Sequence, residues 1–106
     1  MASSKYPIYV LTVSHSNDLS ALADQVFQEQ GLDGNDALLT IDPNDRQVEL
    51  VTTRDSELDQ IIRSNEPGLT VADKYRAVTD RYFVPYARKG KYADAVIHTI
   101  RALDNL

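Results

Sequence analysis

The sequence predicts an α/β domain: a small mixed sheet, made of a parallel β-α-β unit plus an antiparallel hairpin, packed with helices as a sandwich. Three observations predict it. An apolar run at residues 7–13 leads directly into a capped helical pattern, an Asp-Pro-Asn-Asp turn separates two short strand patterns, and apolar residues recur every three or four positions in the second half.

Residues 7–13, Pro-Ile-Tyr-Val-Leu-Thr-Val, are rich in β-branched and aromatic residues, and both alternating sets are largely apolar. That pattern predicts a strand covered on both faces. Ser14 to Asp18 are cap formers, and Leu19, Leu22, Ala23, Val26 and Phe27 then share one helical stripe. Gly31 follows as the C′ residue, with Leu32 placed for the accompanying apolar contact. Residues 37–41 form a second apolar strand, and in residues 47–52 Val48 and Leu50 alternate with Gln47 and Glu49 as a half-exposed third. Asp42-Pro43-Asn44-Asp45 between them predicts a tight antiparallel hairpin.

Beyond the hairpin the pattern is helical. Leu58, Ile61 and Ile62 mark a short helix opened by Asp55 or Ser56 and closed by Asn65-Glu66-Pro67-Gly68. Thr70 and Asp73 stand at capping-box spacing ahead of a stripe through Val71, Tyr75, Val78, Tyr82 and Tyr86. Pro85 removes a ladder donor, which predicts an irregularity across residues 81–86. After Gly90 a last helix carries Tyr92, Val96, Ile97, Ile100 and Leu103.

The 106 residues suffice for one core, with residues 1–6 read as a disordered or added lead-in and residues 7–106 as a single domain. Eleven Lys and Arg against sixteen Asp and Glu give a net charge of -5, which repels phosphate backbones and argues against nucleic acid as a partner. With zero Cys there is no disulfide framework, thiolate nucleophile or Cys-ligated metal. No apolar run reaches the ~20 residues of a membrane span.

Two acidic loop clusters supply the hard oxygen ligands that calcium or magnesium takes. One joins Asp33, Asn35 and Asp36 to Asp55 and Glu57, which the hairpin register brings to one sheet edge. The other, Asp42, Asn44 and Asp45, lies at the hairpin tip near His15 and Asp18. A strand length of roughly 15–20 Å separates them, so they cannot share an ion. Turn and cap duty accounts for many of the same residues without any ion. There is no phosphate-cradling glycine loop and no nucleophile elbow, and neither His15 nor His98 stands beside a defined nucleophile. Pro85, Tyr86 and Tyr92, beside the basic run Arg88-Lys89-Gly90-Lys91, form a candidate partner surface, although packing and helix-dipole complementarity explain the same residues.

The order of segments resembles the TPM domain family. The resemblance is carried by Ile8-Tyr9-Val10-Leu11-Thr12-Val13, the helix through Ala21, Ala23 and Phe27 to Gly31, Asn35-Asp36-Ala37-Leu38-Leu39, and Asp45-Arg46-Gln47-Val48-Glu49-Leu50. Val84-Pro85-Tyr86 with Gly90-Lys91-Tyr92-Ala93-Asp94-Ala95 is similar to the family's Val-Pro-x-Phe and Gly-Asp-Tyr segments. The family groups thylakoid-lumen proteins with a nematode receptor-associated protein and many bacterial envelope proteins. The resemblance implies an α/β sandwich on the extracytoplasmic or lumenal side, often tethered to a membrane, with photosystem II repair and acid phosphatase activity described for plant members and divalent-cation binding for some bacterial ones.

Two stretches depart from the family pattern. Asn35-Asp36-Ala37 stands where the family has Asp-Asn-Gly, and of its Gly-x-Gly-x-Glu stretch only Glu57 matches within Thr53-Arg54-Asp55-Ser56-Glu57. Members usually carry a helix before the first strand, whereas this chain begins at the strand; the expectation is either that the helix has been truncated or that the exposed sheet face is covered by a partner or a second copy. The expected function is a non-enzymatic accessory domain of a membrane-protein complex or homo-oligomer, with a divalent-cation-dependent acid phosphatase as the alternative.

Overall fold

The computed structural model describes residues 6–14 and 17–105. Along the chain lie β1 (Ile8–Thr12), α1 (Leu19–Glu29), β2 (Ala37–Asp42), β3 (Gln47–Thr52), α2 (Glu57–Asn65), α3 (Val71–Tyr82), α4 (Val84–Ala87) and α5 (Tyr92–Asp104). The sheet order is β1-β2-β3, with β1 parallel to β2 and β3 antiparallel to it, as the sequence predicts. β2 is therefore the middle strand, and all six of its residues are buried.

Alternation along β2 sends Leu38, Thr40 and Asp42 to one face and Ala37, Leu39 and Ile41 to the other. On the first face lies α1, whose Leu19, Ala23 and Phe27 are buried. On the second, Ala37, Leu39, Ile41 and Leu50 join Leu58 and Ile62 of α2, Val78 of α3, Phe83, and Ala95 and Leu103 of α5 in one core. The described residues thus form a sandwich with one helix above the sheet and four below.

Local chemistry sets the ends of α1. Asp18 caps it by accepting the Ala21 N–H, and at the other end the Leu32 N–H reaches the Phe27 carbonyl while the Gly31 N–H reaches that of Gln28, each at 3.1 Å. This is a Schellman ending, and it requires a left-handed residue at Gly31, where φ is 65°. In the hairpin, Asp42 Oδ1 accepts the Asp45 N–H at 3.1 Å, and the Asn44 side chain donates to the Ser14 carbonyl. The tip therefore sits beside the end of β1; His15 lies outside the described residues.

Three expectations need correction. β1 is not covered on both faces: α1 lies against β2 and β3, so β1 is left at the sheet's margin with Tyr9 49% and Val10 45% exposed. The buried line of α5 is rotated from the expected one, running through Ala95, Thr99 and Leu103 and leaving Ile97 exposed. Thr99 can occupy a buried position because its hydroxyl donates to the Ala95 carbonyl at 2.8 Å, which an apolar periodicity does not register. Tyr6, assigned by pattern to the lead-in, is 1% exposed and belongs to the core; the rest of that lead-in lies outside the described residues.

The irregularity expected near Pro85 is present. α3 stops at Tyr82, Phe83 intervenes, and Pro85 occupies the first turn of α4, where its missing N–H costs nothing.

Two glycines separate backbone strain from steric exclusion. A Cβ on Gly31 meets nothing within 4 Å, whereas on Gly68, at φ 149°, it would sit 2.7 Å from the Asp73 Cβ. Gly31→Ala is expected to destabilise the domain by ~1 kcal/mol and Gly68→Ala by ~3 kcal/mol, measured by urea unfolding.

Candidate functional site

Ser56 caps α2 by accepting the Asp59 N–H at 3.2 Å, which sets Asp59 in the first turn with its side chain directed back along the helix. There its Oδ2 accepts the Asp55 N–H at 2.8 Å and the Arg63 Nε at 2.9 Å. Oδ1 accepts the phenol hydroxyl of Tyr75 from α3. Since Tyr75 has one proton and spends it on Asp59, Thr52 at the end of β3 donates to the phenol oxygen. β3, α2 and α3 thus meet at one carboxylate whose residue is 2% exposed.

Burial by itself would raise the Asp59 carboxyl. The hydrogen bonds from Tyr75, Asp55 and Arg63, together with the Arg63 charge, outweigh it and hold the group below the usual carboxylate range. Burial and the Asp59 carboxylate push the Tyr75 phenol well above its ordinary value, only partly offset by Thr52 and Arg63. Both members of the pair are therefore displaced away from neutrality, opposite to the tuning of a general acid or base.

The cluster forms one wall of a cleft of about 510 Å³ that runs along the free edge of β3. Ser20 and Asp24 of α1 make the opposite wall, and Arg54, Arg63, Arg76 and Glu49 bring both signs of charge to it. Burial raises the Glu49 carboxyl; Arg76 opposes the shift, while Asp24 and Asp18 reinforce it. A half-open cleft with a strand edge for a floor and interspersed charges is suited to recognising a polar, extended ligand.

The acidic loops predicted from sequence do meet at one edge. Ala37 pairs with Thr52, and beyond that pair Asn35 Oδ1 accepts the Glu57 N–H at 3.3 Å. Asp36 Oδ2 accepts the Asp33 N–H at 3.1 Å while its own N–H returns to the Asp33 carbonyl, closing the loop on itself. Asp55, at φ 64°, turns its N–H to Asp59. Asn35 Oδ1 thus ties the two loops together and Asp36 Oδ2 closes its own turn, and among the described residues no group of three acidic or histidine side chains converges as a cation site.

Of the aromatic surface residues, Tyr86 stacks on His98 with ring centroids 4.1 Å apart, and Tyr92 faces Phe83 at 6.4 Å. Tyr92 also lines a second cleft of about 540 Å³ with Pro43, Arg46, Val48 and Arg88, whereas Pro85 and Tyr86 stand outside that lining.

Asp59, Tyr75, Thr52 and Arg63 escaped the sequence reading. Tyr75 stood in an apolar stripe, where its ring reads as core. The one available signal was Ser56-x-x-Asp59, a capping box that places a carboxylate beside Leu58 and Ile62 on the inward side of a short helix.

Compared with known families, the chain matches the TPM domain over residues 1–106. No curated protein matches the sequence.

Asp59→Ala would leave Tyr75, Arg63 and the Asp55 N–H without their acceptor, and a loss of ~3 kcal/mol in urea unfolding is expected. Tyr75→Phe, which removes one donor, should cost ~1 kcal/mol, and the double mutant should fall short of the sum. The two carboxyls of the cleft act oppositely with pH. Asp59, with its folded pKa lowered, stabilises the fold at neutral pH and loses that contribution as acid titrates it below about pH 4; Asp59→Asn should flatten that limb. Glu49, with its folded pKa raised, destabilises the fold when ionised. Glu49→Gln should therefore stabilise at neutral pH, with the gain vanishing as pH falls toward about 4.

Proposed function

The chain belongs to the TPM domain family, and from that premise we propose that it is a non-enzymatic interaction domain, an accessory part of a membrane-associated assembly on the extracytoplasmic or lumenal side that serves membrane-protein maintenance. The observation that supports this reading is the commitment of the Asp59 carboxylate. It sits in the wall of the β3 cleft with both oxygens occupied, and it and its Tyr75 partner are displaced from neutral pH in opposite directions. Such a pair fixes a surface rather than exchanging a proton with a substrate. No described helix is long and apolar enough to cross a membrane, so on this reading attachment comes from what the domain binds or is joined to.

A divalent-cation-dependent acid phosphatase is the second reading, and one observation favours it: the 3.3 Å contact between Asn35 and Glu57 brings the two acidic loops to the same edge. Asp33, Asn35, Asp36, Asp55 and Glu57 would hold calcium or magnesium there, the ion supplying charge neutralisation for a phosphoryl group.

One titration separates the two. With millimolar calcium or magnesium, the amide resonances of residues 33–37 and 53–57 are expected to stay in place, and a generic aryl phosphate is expected to release no phosphate. Cation-dependent shifts confined to those loops, together with phosphate release lost in Glu57→Gln, would establish the phosphatase instead. For the interaction reading, Arg76→Glu on the exposed cleft wall should reduce recovery of the domain with its membrane fraction while leaving its circular dichroism spectrum that of the folded protein.

A further inference from the structure

Arg46 and Arg88 border the second cleft, the cavity of about 540 Å³ beside Tyr92, and among the described residues no acid lines it. In a chain with a net charge of -5 this is a local reversal of sign. Residues 81–93 extend it, for Arg81, Arg88, Lys89 and Lys91 fall there with no Asp or Glu among them. Among the described residues the arginines in ion pairs are Arg63 and Arg81, facing Asp59 and Glu66, so neither guanidinium at the cleft is neutralised by a carboxylate. α4 spans four residues, too few aligned peptides for a dipole that would account for Arg88 at its end. Positive charge above low-dielectric walls focuses its potential into the cavity.

The walls themselves are apolar. Phe83 is buried, and Val48, Ala87 and Tyr92 stand half-buried against the core. The Phe83 and Tyr92 rings are tilted 54° to one another with centroids 6.4 Å apart, an arrangement that a third ring can join. The volume suits a small organic ligand. Arg46 also borders a neighbouring hollow that holds Asp18 and Asp80, and those acids confine an anionic group to the span between Arg46 and Arg88.

The backbone at Arg46 points the same way. It closes the hairpin loop immediately before Gln47, which pairs with Asp42, and its φ is 55°. Glycine or asparagine takes that left-handed conformation with little strain, whereas a long side chain there is uncommon and costs stability. Strain of this kind persists at residues that serve a site.

We infer that the second cleft is a binding site for a small aromatic carboxylate, its ring lying against Phe83, Tyr92, Val48 and Ala87 and its carboxylate held by Arg46 and Arg88. The planar guanidinium fork matches a carboxylate in geometry as well as charge. An inorganic anion lacks the apolar half of this match, and a neutral arene lacks the charge. The inference is independent of the reading of the β3 cleft, with which this cavity shares only Val48 among its lining residues.

Titration with 2-naphthoate should give saturable amide shifts confined to residues 46–48 and 87–92, with a dissociation constant of about 1 mM or lower. The neutral 2-naphthamide should bind about 10-fold more weakly, and acetate and inorganic phosphate should give no saturable shift. Arg88→Gln should raise the dissociation constant for 2-naphthoate by about 10-fold. Arg46→Gly should weaken binding equally and at the same time raise the midpoint of urea unfolding, because it removes the left-handed strain together with the guanidinium. A merely structural Arg46 would not move binding and stability in opposite directions. Shifts that fail to saturate, equal affinity for amide and carboxylate, saturable phosphate binding at the same residues, affinity indifferent to either substitution, or a lower urea midpoint in Arg46→Gly would each overturn the inference.

Discussion

A carboxylate withdrawn from water has to be matched by donors, and at Asp59 that requirement organises half of the molecule. Its partners come from the loop before α2, from α2 itself and from α3, and the Tyr75 that reaches it is in turn held by Thr52 at the end of β3. None of these segments can shift without stranding a buried polar group, which costs more than an ordinary hydrogen bond contributes. The Lys74 side chain, donating to the Arg63 carbonyl, adds a second tie between α2 and α3. The apolar core beneath, through Leu58, Ile62 and Val78, supplies attraction without direction. The polar network adds the direction, fixing where α2 and α3 stand against the sheet.

That placement gives the two edges of a three-stranded sheet different surroundings. Beside β3, α1 and α3 rise on either side and form the walls of a cleft, so the edge is recessed among charges of both signs. Among the described residues no such walls flank β1. One helix can shield only part of one face, and α1 lies over β2 and β3 because its Leu19, Ala23 and Phe27 stripe is matched there by the fully buried middle strand. An uncharged strand at an unwalled margin follows directly from that choice.

Most of the secondary structure was legible from residues 7–106, for local reasons. Asp18, Ser56 and Thr70 each cap a helix by accepting an N–H three residues on, Gly31 takes the left-handed conformation of a helix ending, and Pro85 falls where the long helical pattern breaks. Each signal involves neighbours within a turn, so the order of residues carries it. The polar cluster was not legible, because Asp59 and Tyr75 stand 16 residues apart and each has an ordinary local role, one as the acid of a capping box and the other as a member of an apolar stripe. Burial of Thr99 was hidden similarly, by a hydroxyl that satisfies itself within its own helix.

The sequence alone therefore determined the element order, the parallel unit with its hairpin, the meeting of the Asn35 and Glu57 loops, and membership of a family recognisable from the order of segments. All of these follow from periodicity, turn chemistry and strand register, which are properties of short stretches. Only the tertiary structure decided that Tyr6 enters the core, that β1 stands at the sheet margin with Tyr9 and Val10 exposed, and that Thr52, Asp59, Arg63 and Tyr75 share one buried charge. Those outcomes depend on which surface each helix covers, and helix placement is set by the summed packing of side chains distant in the chain, which no single segment encodes.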